Sequence, residues 1–205
     1  MAIINGDEKT GVTTMYLDTQ MDSGDIILQE EADIGDDETA GELWDRLSGI
    51  GARLLTQTLD KIENGTAPRK KQGKNYTIAP MLSKEISKID WENKTAAQIK
   101  NLVRGLNPTM GTYSYLNGKK IKFWKVDVIN TKKFMEKYKE FIEYDYRLED
   151  IESGTIIYID KKEGLYIKAK DGIVKVLELQ AENAKKMSIQ DFLRGNKMQI
   201  GDMLE

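Results

Sequence analysis

Apolar positions in this chain recur in two rhythms, one helical and one of alternating strands, and the helical rhythm is the stronger. Leu43, Trp44, Leu47, Ile50, Leu54, Leu55, Leu59 and Ile62 repeat every three to four residues, the period of one helix face. Thr39-Ala40-Gly41-Glu42 ahead of them has capping-box spacing, in which the threonine oxygen takes an orphan N–H and the glutamate reaches back. Asn64-Gly65 supplies the stop, so the pattern predicts a helix over 39–63. A second box, Thr95-Ala96-Ala97-Gln98, opens a shorter helix carrying Ile99, Leu102 and Val103 that closes at Gly105, before Asn107-Pro108. Ser188-Ile189-Gln190-Asp191 opens a last helix ended by Gly195. Residues 132–146 place Phe134, Met135, Tyr138, Phe141 and Ile142 at helical spacing opposite lysines and glutamates. They read as an amphipathic helix over a barrel mouth or, alternatively, as a partner-binding helix.

The strand rhythm appears first over 11–17 and 26–31, rich in β-branched and aromatic residues and separated by the acidic turn Asp22-Ser23-Gly24-Asp25. It returns over 112–116 and 120–128, which flank the hairpin signal Asn117-Gly118, and over 155–159, 165–169 and 173–179. These later strands, short and joined by tight turns, suggest a small closed barrel. Residues 66–74, polar and basic with one proline and one glycine, read as a linker. Residues 1–65 amount to strand, strand and helix. Two strands are too few to cover so wide an apolar stripe, which predicts self-association through residues 3–65 or poor order there.

Composition narrows the chemistry. With 205 residues, 40% of them hydrophobic and 32% charged, the chain has material for a real core. No apolar run reaches the roughly 18 residues of a membrane span and the first residues lack a signal-peptide pattern, so a cytoplasmic protein is expected. The absence of cysteine excludes disulfides and thiolate nucleophiles, and the absence of histidine excludes serine–histidine catalysis. No Gly-x-Gly-x-x-Gly, Walker loop or calcium-loop spacing is present, and no metal is expected. The net charge of −3 conceals a partition: −11 over residues 1–65, +12 over 66–139 and −4 over 140–205. A block of +12 reads as a polyanion-binding surface or as a solvated lysine-rich face. Its candidate RNA contacts are Arg69, Lys70, Lys71 and Lys74 in the linker and Lys119, Lys120, Lys122 and Lys125 on the hairpin. Trp124, among those lysines, either packs in the core or stacks on a base. The acidic turn is either a plain turn or a ligand-facing loop at a strand end.

Several blocks together resemble methionyl-tRNA formyltransferases. They are Ala2-Ile3-Ile4-Asn5-Gly6, Thr10-Gly11-Val12-Thr13-Thr14-Met15, Met21-Asp22-Ser23-Gly24-Asp25-Ile26 and Asp37-Glu38-Thr39-Ala40-Gly41-Glu42-Leu43. Next come Tyr76-Thr77-Ile78-Ala79-Pro80-Met81-Leu82, Ile89-Asp90-Trp91 and Arg104-Gly105-Leu106-Asn107-Pro108, then Leu177-Glu178-Leu179-Gln180 and Asp191-Phe192-Leu193-Arg194-Gly195 near the end. The resemblance runs in order through nearly the whole chain. It implies an α/β plus β fold: residues 1–65 as the later part of a Rossmann-like formyltransferase domain, 66–80 as a basic linker and 81–205 as an oligonucleotide-binding-type β-barrel domain with flanking helices that binds tRNA. It also implies transfer of a formyl group from 10-formyltetrahydrofolate to the α-amino group of methionyl initiator tRNA, with neither membrane nor DNA as partner.

The family's site combines an asparagine, a histidine and an aspartate, and the motif places the aspartate at Asp22. A carboxylate beside an imidazole would keep it cationic and able to stabilise an oxyanion. The asparagine and histidine correspond to positions ahead of Ala2-Ile3, where this sequence has no counterpart, and Met1 stands where the family usually has tryptophan. The 205 residues are therefore expected to be inactive alone. Two other readings stand beside this one: a non-catalytic tRNA-binding module, and a sugar-nucleotide formyltransferase, which the Asp191-Phe192-Leu193-Arg194-Gly195 ending disfavours.

Overall fold

The computed structural model describes residues 1–73, 77–139 and 148–205 and divides into two compact units, Met1–Met81 and Leu82–Glu205. In the first, a short helix α1 (Ala2–Asn5) precedes the antiparallel pair β1 (Lys9–Met15) and β2 (Ile26–Asp33), and helix α2 (Ala40–Glu63) packs on that pair. The α2 capping box forms in both directions: Glu42 N donates to Thr39 Oγ1, and Thr39 N donates to Glu42 Oε2 at 2.8 Å. Arg46 ties the helix back to the chain before it, donating to both carboxylate oxygens of Glu38 at 2.9 and 2.8 Å. Helix and hairpin meet through a polar contact, Thr14 Oγ1 to Thr58 Oγ1 at 2.8 Å, and Thr58 also donates to Leu54 O.

The hairpin covers only one part of the apolar arc of α2. Leu43, Ile50, Leu54 and Thr58 are buried, whereas Trp44, Leu55, Leu59 and Ile62 face solvent. Trp44 is 72% exposed. Two strands present too little surface for a 24-residue helix whose apolar positions spread over two adjoining faces.

The second unit is built on a six-stranded antiparallel sheet. Helix α3 (Ala96–Gly105) leads into β3 (Thr112–Leu116) and β4 (Lys119–Ile129); helix α4 (Thr131–Lys137) follows. Then come β5 (Ile156–Asp160), β6 (Gly164–Lys168), β7 (Ile173–Ala181), β8 (Met187–Ser188) and helix α5 (Ile189–Gly195). The order is β3-β4-β7-β6-β5, with β8 pairing β7 beyond the end of β6. One face carries the main core, in which Phe123, Ile167, Val174 and Leu179 meet Ile99 and Val103 of α3 and Phe192 of α5. Asp171 Oδ1 accepts from Ala96 N at 2.8 Å, giving α3 a second cap from a distant turn.

The closed barrel expected from the strand pattern is not found among the described residues: β3 and β5 are not paired with each other. The C-terminal segment 201–205 spans the gap instead. Gly201 N donates to Ile156 O and Ile156 N to Asp202 O on the β5 side; Glu205 N and Tyr115 N exchange bonds with each other's carbonyls, both 2.9 Å, on the β3 side. Leu204 between them is buried in the core, and Ser114 Oγ donates to Glu205 O while accepting from Trp91 Nε1.

The helix predicted over 132–146 is also revised. It runs as α4 from Thr131 to Lys137, is capped by Asn130 Oδ1 accepting from Lys133 N, and ends at Tyr138; residues 140–147 lie outside the described residues. It lies over a sheet face, not a barrel mouth. Phe134 and Tyr138 pack with Tyr158, Tyr166 and Ile173 in a second cluster, on the side of β5 and β6 opposite Ile156, Leu165 and Ile167 of the main core. This second layer explains why all five residues of β6 are buried.

Candidate functional site

Asp22 lies on the wide loop 16–25 between β1 and β2. The sequence extends the first strand to residue 17, but it ends at Met15, and Leu17 is fully exposed. The reason is a close backbone crossing. Tyr16 N donates to Asp25 O at 2.9 Å, and a Cβ on Gly24 would stand 1.6 Å from Tyr16 O, so only glycine fits there. Asp22 adopts a left-handed backbone, φ 55°, and its side chain is exposed with no hydrogen bond or ion pair among the described residues. Ser23 Oγ donates back to Gln20 O, closing the turn that presents it.

The basic stretch read as a linker meets this loop within the first unit. Lys70 and Ile26 exchange backbone hydrogen bonds of 2.8 and 3.0 Å, extending the start of β2 by one bridge. The Arg69 guanidinium sits 4.0 Å over the Tyr16 ring and 3.6 Å from Asp25 Oδ2. Gln72 Nε2 donates to Asp22 O and to Gly24 O, each at 2.8 Å. Arg69 is thus engaged with the loop, while Lys70 and Lys71 are exposed and Lys74 lies outside the described residues. The loop offers an exposed carboxylate at Asp22. Met21 beside Asp22 is 92% exposed.

In the second unit, the register of β3 with β4 gathers the hairpin lysines and aromatic rings. Lys122 pairs with Tyr113 and Lys120 with Tyr115, so these side chains share the face opposite Ile121 and Phe123. Lys120 Nζ lies 3.7 Å over the Tyr113 ring, and Tyr113 and Tyr115 meet edge to face at 5.7 Å. Trp124 belongs to this face, half-buried: its Nε1 donates to Gln180 Oε1 at 2.9 Å, and Lys122 and Lys186 stand 5.5 and 5.8 Å from its ring. Lys88, 5.9 Å over Tyr115, adds a fourth cation. Lys119 sits at the exposed hairpin turn, and Lys125 falls on a bulge opposite Glu178. The structure therefore brings together Lys120, Lys122 and Trp124 and sets Lys119 and Lys125 apart from them. Tyr113, Tyr115, Lys88 and Lys186 were not singled out by the sequence; the alternation of tyrosine with buried residues in β3 was the signal available.

The neighbouring half of the same sheet is sealed by α4. The Lys137 ammonium, 3.0 Å from Glu163, bonds to Tyr138 and Glu163 and is shifted upward, and it holds the Glu163 carboxyl below its ordinary range. Burial pushes the Tyr138 hydroxyl up to about 12. This cluster of paired groups is a packing layer with a polar edge, in contrast to the open basic face of β3 and β4. No helix among the described residues is long and apolar enough to cross a membrane.

Comparisons with known proteins agree on one family. The formyl transferase C-terminal domain model matches residues 81–197 and the formyl transferase model matches residues 1–59. The chain is 38% identical over 204 residues to the methionyl-tRNA formyltransferase of Ruminiclostridium cellulolyticum and 39% identical to that of Halothermothrix orenii, covering 99% of this chain and 60% and 61% of those proteins. It thus spans about three-fifths of the length of the curated relatives it matches. Among solved structures, HypX from Aquifex aeolicus in complex with tetrahydrofolic acid superposes with a TM-score of 0.61 at 17% identity, covering 98% of this chain and 35% of that one. Methionyl-tRNA formyltransferase from Clostridium thermocellum gives 0.51 at 21% identity over 63% of this chain and 55% of that one. At such identities these two likenesses speak for the fold alone. With one domain model covering more than half the chain and a second covering its start, the chain belongs to the formyl transferase family.

Proposed function

We propose that this chain serves in methionyl-tRNA formylation, the transfer of a formyl group from 10-formyltetrahydrofolate to the α-amino group of methionine on initiator tRNA. In that reaction the amine nitrogen bonds to the formyl carbon, the bond from that carbon to the folate nitrogen breaks, and the proton lost by the amine is balanced by the one the folate nitrogen gains. Asp22 is the carboxylate we assign to it, placed to orient and charge an imidazole that stabilises the developing oxyanion. The 205 residues contain no histidine, so we assign them no turnover on their own.

The observation that carries the tRNA side of the proposal is the face formed by Tyr113, Lys120, Lys122 and Trp124. Lysines interleaved with part-exposed rings suit a polyanion whose unpaired bases can stack. We read the unit as an oligonucleotide-binding type of sheet in which the segment 201–205 takes the place of strand-to-strand closure. The test is titration of fluorescently labelled initiator tRNA with the purified chain across a range of salt. Binding that weakens as salt rises supports the reading; affinity indifferent to salt overturns it. We also propose that the open stripe Trp44, Leu55, Leu59 and Ile62 drives self-association, which multi-angle light scattering over a concentration series reads directly.

A further inference from the structure

We propose that Gln72 is a positioning residue for Asp22, acting through two backbone carbonyls that its side-chain amide ties together; this rests on reading Asp22 as the reacting carboxylate. Three non-glycine residues among those described have a positive φ, and Asp22 is the one at the proposed site. Its carboxylate makes no hydrogen bond or ion pair among the described residues, so the backbone of the loop is what sets the direction in which the side chain leaves the chain. That backbone is fixed on one side by the crossing of Gly24 over Tyr16. On the other side the carbonyls of Asp22 and Gly24 converge on Gln72 Nε2, each at 2.8 Å.

An amide nitrogen has two protons, one for each carbonyl. No carboxylate can do this, since it only accepts, and asparagine is one methylene shorter. The side chain is itself held in place two residues earlier, where Lys70 pairs with Ile26 in both directions and Arg69 stacks on Tyr16. The segment 69–72 therefore acts as a strap across the loop. Its one side-chain bond pair to the loop backbone fixes the direction in which the Asp22 side chain leaves the chain.

The test uses the 205-residue chain labelled with ¹⁵N and ¹³C. The side-chain amide protons of Gln72 are expected to exchange about tenfold more slowly than those of the exposed Gln57, as fits one to two modest hydrogen bonds. Gln72→Ala is expected to move the Asp22 carbonyl and carboxyl carbon resonances toward random-coil positions. Amides of Val12 and Leu28 in the hairpin and the Trp124 indole N–H should stay where they are, showing both units still folded. Gln72→Glu should give the same loss at pH 7 and recover part of it below the ordinary glutamate range near pH ~4.3, where the introduced carboxyl can donate one bond. Gln72→Asn should not rescue. Unchanged Asp22 resonances in Gln72→Ala, or Gln72→Glu indistinguishable from the unsubstituted chain at pH 7, would overturn the proposal. Its failure is distinct from failure of the underlying reading. That reading falls if the aspartate corresponding to Asp22 in a full-length formyl transferase relative can be changed to asparagine without loss of formyl transfer, a result that leaves the tie between Gln72 and the loop standing.

Discussion

Helices α2 and α3 begin in the same way and end in opposite situations. Both open on a threonine capping box formed in both directions, and both carry apolar residues at helical spacing. In α3 Ala96, Ile99, Leu102 and Val103 are all enclosed, with Ile99 at 0% exposure. In α2 only the arc against the hairpin and α1 is enclosed, and Leu59 on the adjoining arc is 57% exposed. Local signals therefore decide that a helix forms and where it starts. What covers it is decided by the breadth of the sheet it packs on, six-stranded in one unit and two-stranded in the other.

The sharpest way to break this comparison is to truncate one apolar side chain on each helix. Ile99→Ala leaves a cavity in the main core and is expected to destabilise the second unit by about 2–5 kcal/mol in a chemical denaturation curve, whereas Leu59→Ala should cost less than about 0.5 kcal/mol. Equal costs would mean that the α2 stripe is covered after all. The shared feature should give the same answer twice. Thr95→Ala and Thr39→Ala are each expected to cost about 1 kcal/mol, since each cap satisfies one orphan N–H. An α2 cap without measurable worth would show that this helix frays in solution.

A second contrast lies within one sheet, between the half sealed by α4 and the open half. In the sealed half, burial raises the Tyr138 hydroxyl from its ordinary 10 to about 12. The folded form thus holds this proton more tightly than the unfolded form. The stability it contributes is complete below pH 10 and is lost as pH rises from 10 through about 12. Absorbance of the tyrosinate band during alkaline titration should show a late-ionising class that shrinks in Tyr138→Phe without vanishing, because burial also raises the Tyr158 hydroxyl, and thermal stability of that variant should decline less over the same pH interval. The smallest effect concerns α2 again: Leu59→Ala should leave the melting curve almost unmoved yet reduce concentration-dependent association measured by light scattering.

What could be read from the sequence follows the length of the interaction. The capping boxes at Thr39 and Thr95 join residues three apart, and both were legible, as was the hairpin at Asn117-Gly118. Lys120 and Lys122 were legible as a basic pair because they are two apart on one strand. Their aromatic partners Tyr113 and Tyr115 come from the neighbouring strand, where alternation with buried residues gives no cue to which face stays open. Gln72 lies 50 residues from Asp22 in a stretch with no periodicity, and its role exists only once the strap has paired with Ile26. The strand pattern over 112–179 suggested closure, but nothing local signals that segment 201–205 fills the gap. The turn Asp22-Ser23-Gly24-Asp25 was legible as a turn; the width of the loop, ten residues rather than the eight left between the expected strands, follows from Gly24 meeting Tyr16.

The measurement that bears most directly on the central claim is the salt dependence of initiator tRNA affinity for the unsubstituted chain and for the double variant Lys120→Ala and Lys122→Ala. If the open face of β3 and β4 grips the RNA backbone, removing these two cations lowers the slope of log affinity against log salt by about 1.4, near 0.7 for each phosphate that is no longer neutralised. A double variant that binds tRNA with the same slope as the unsubstituted chain, while keeping its fold, would contradict the account.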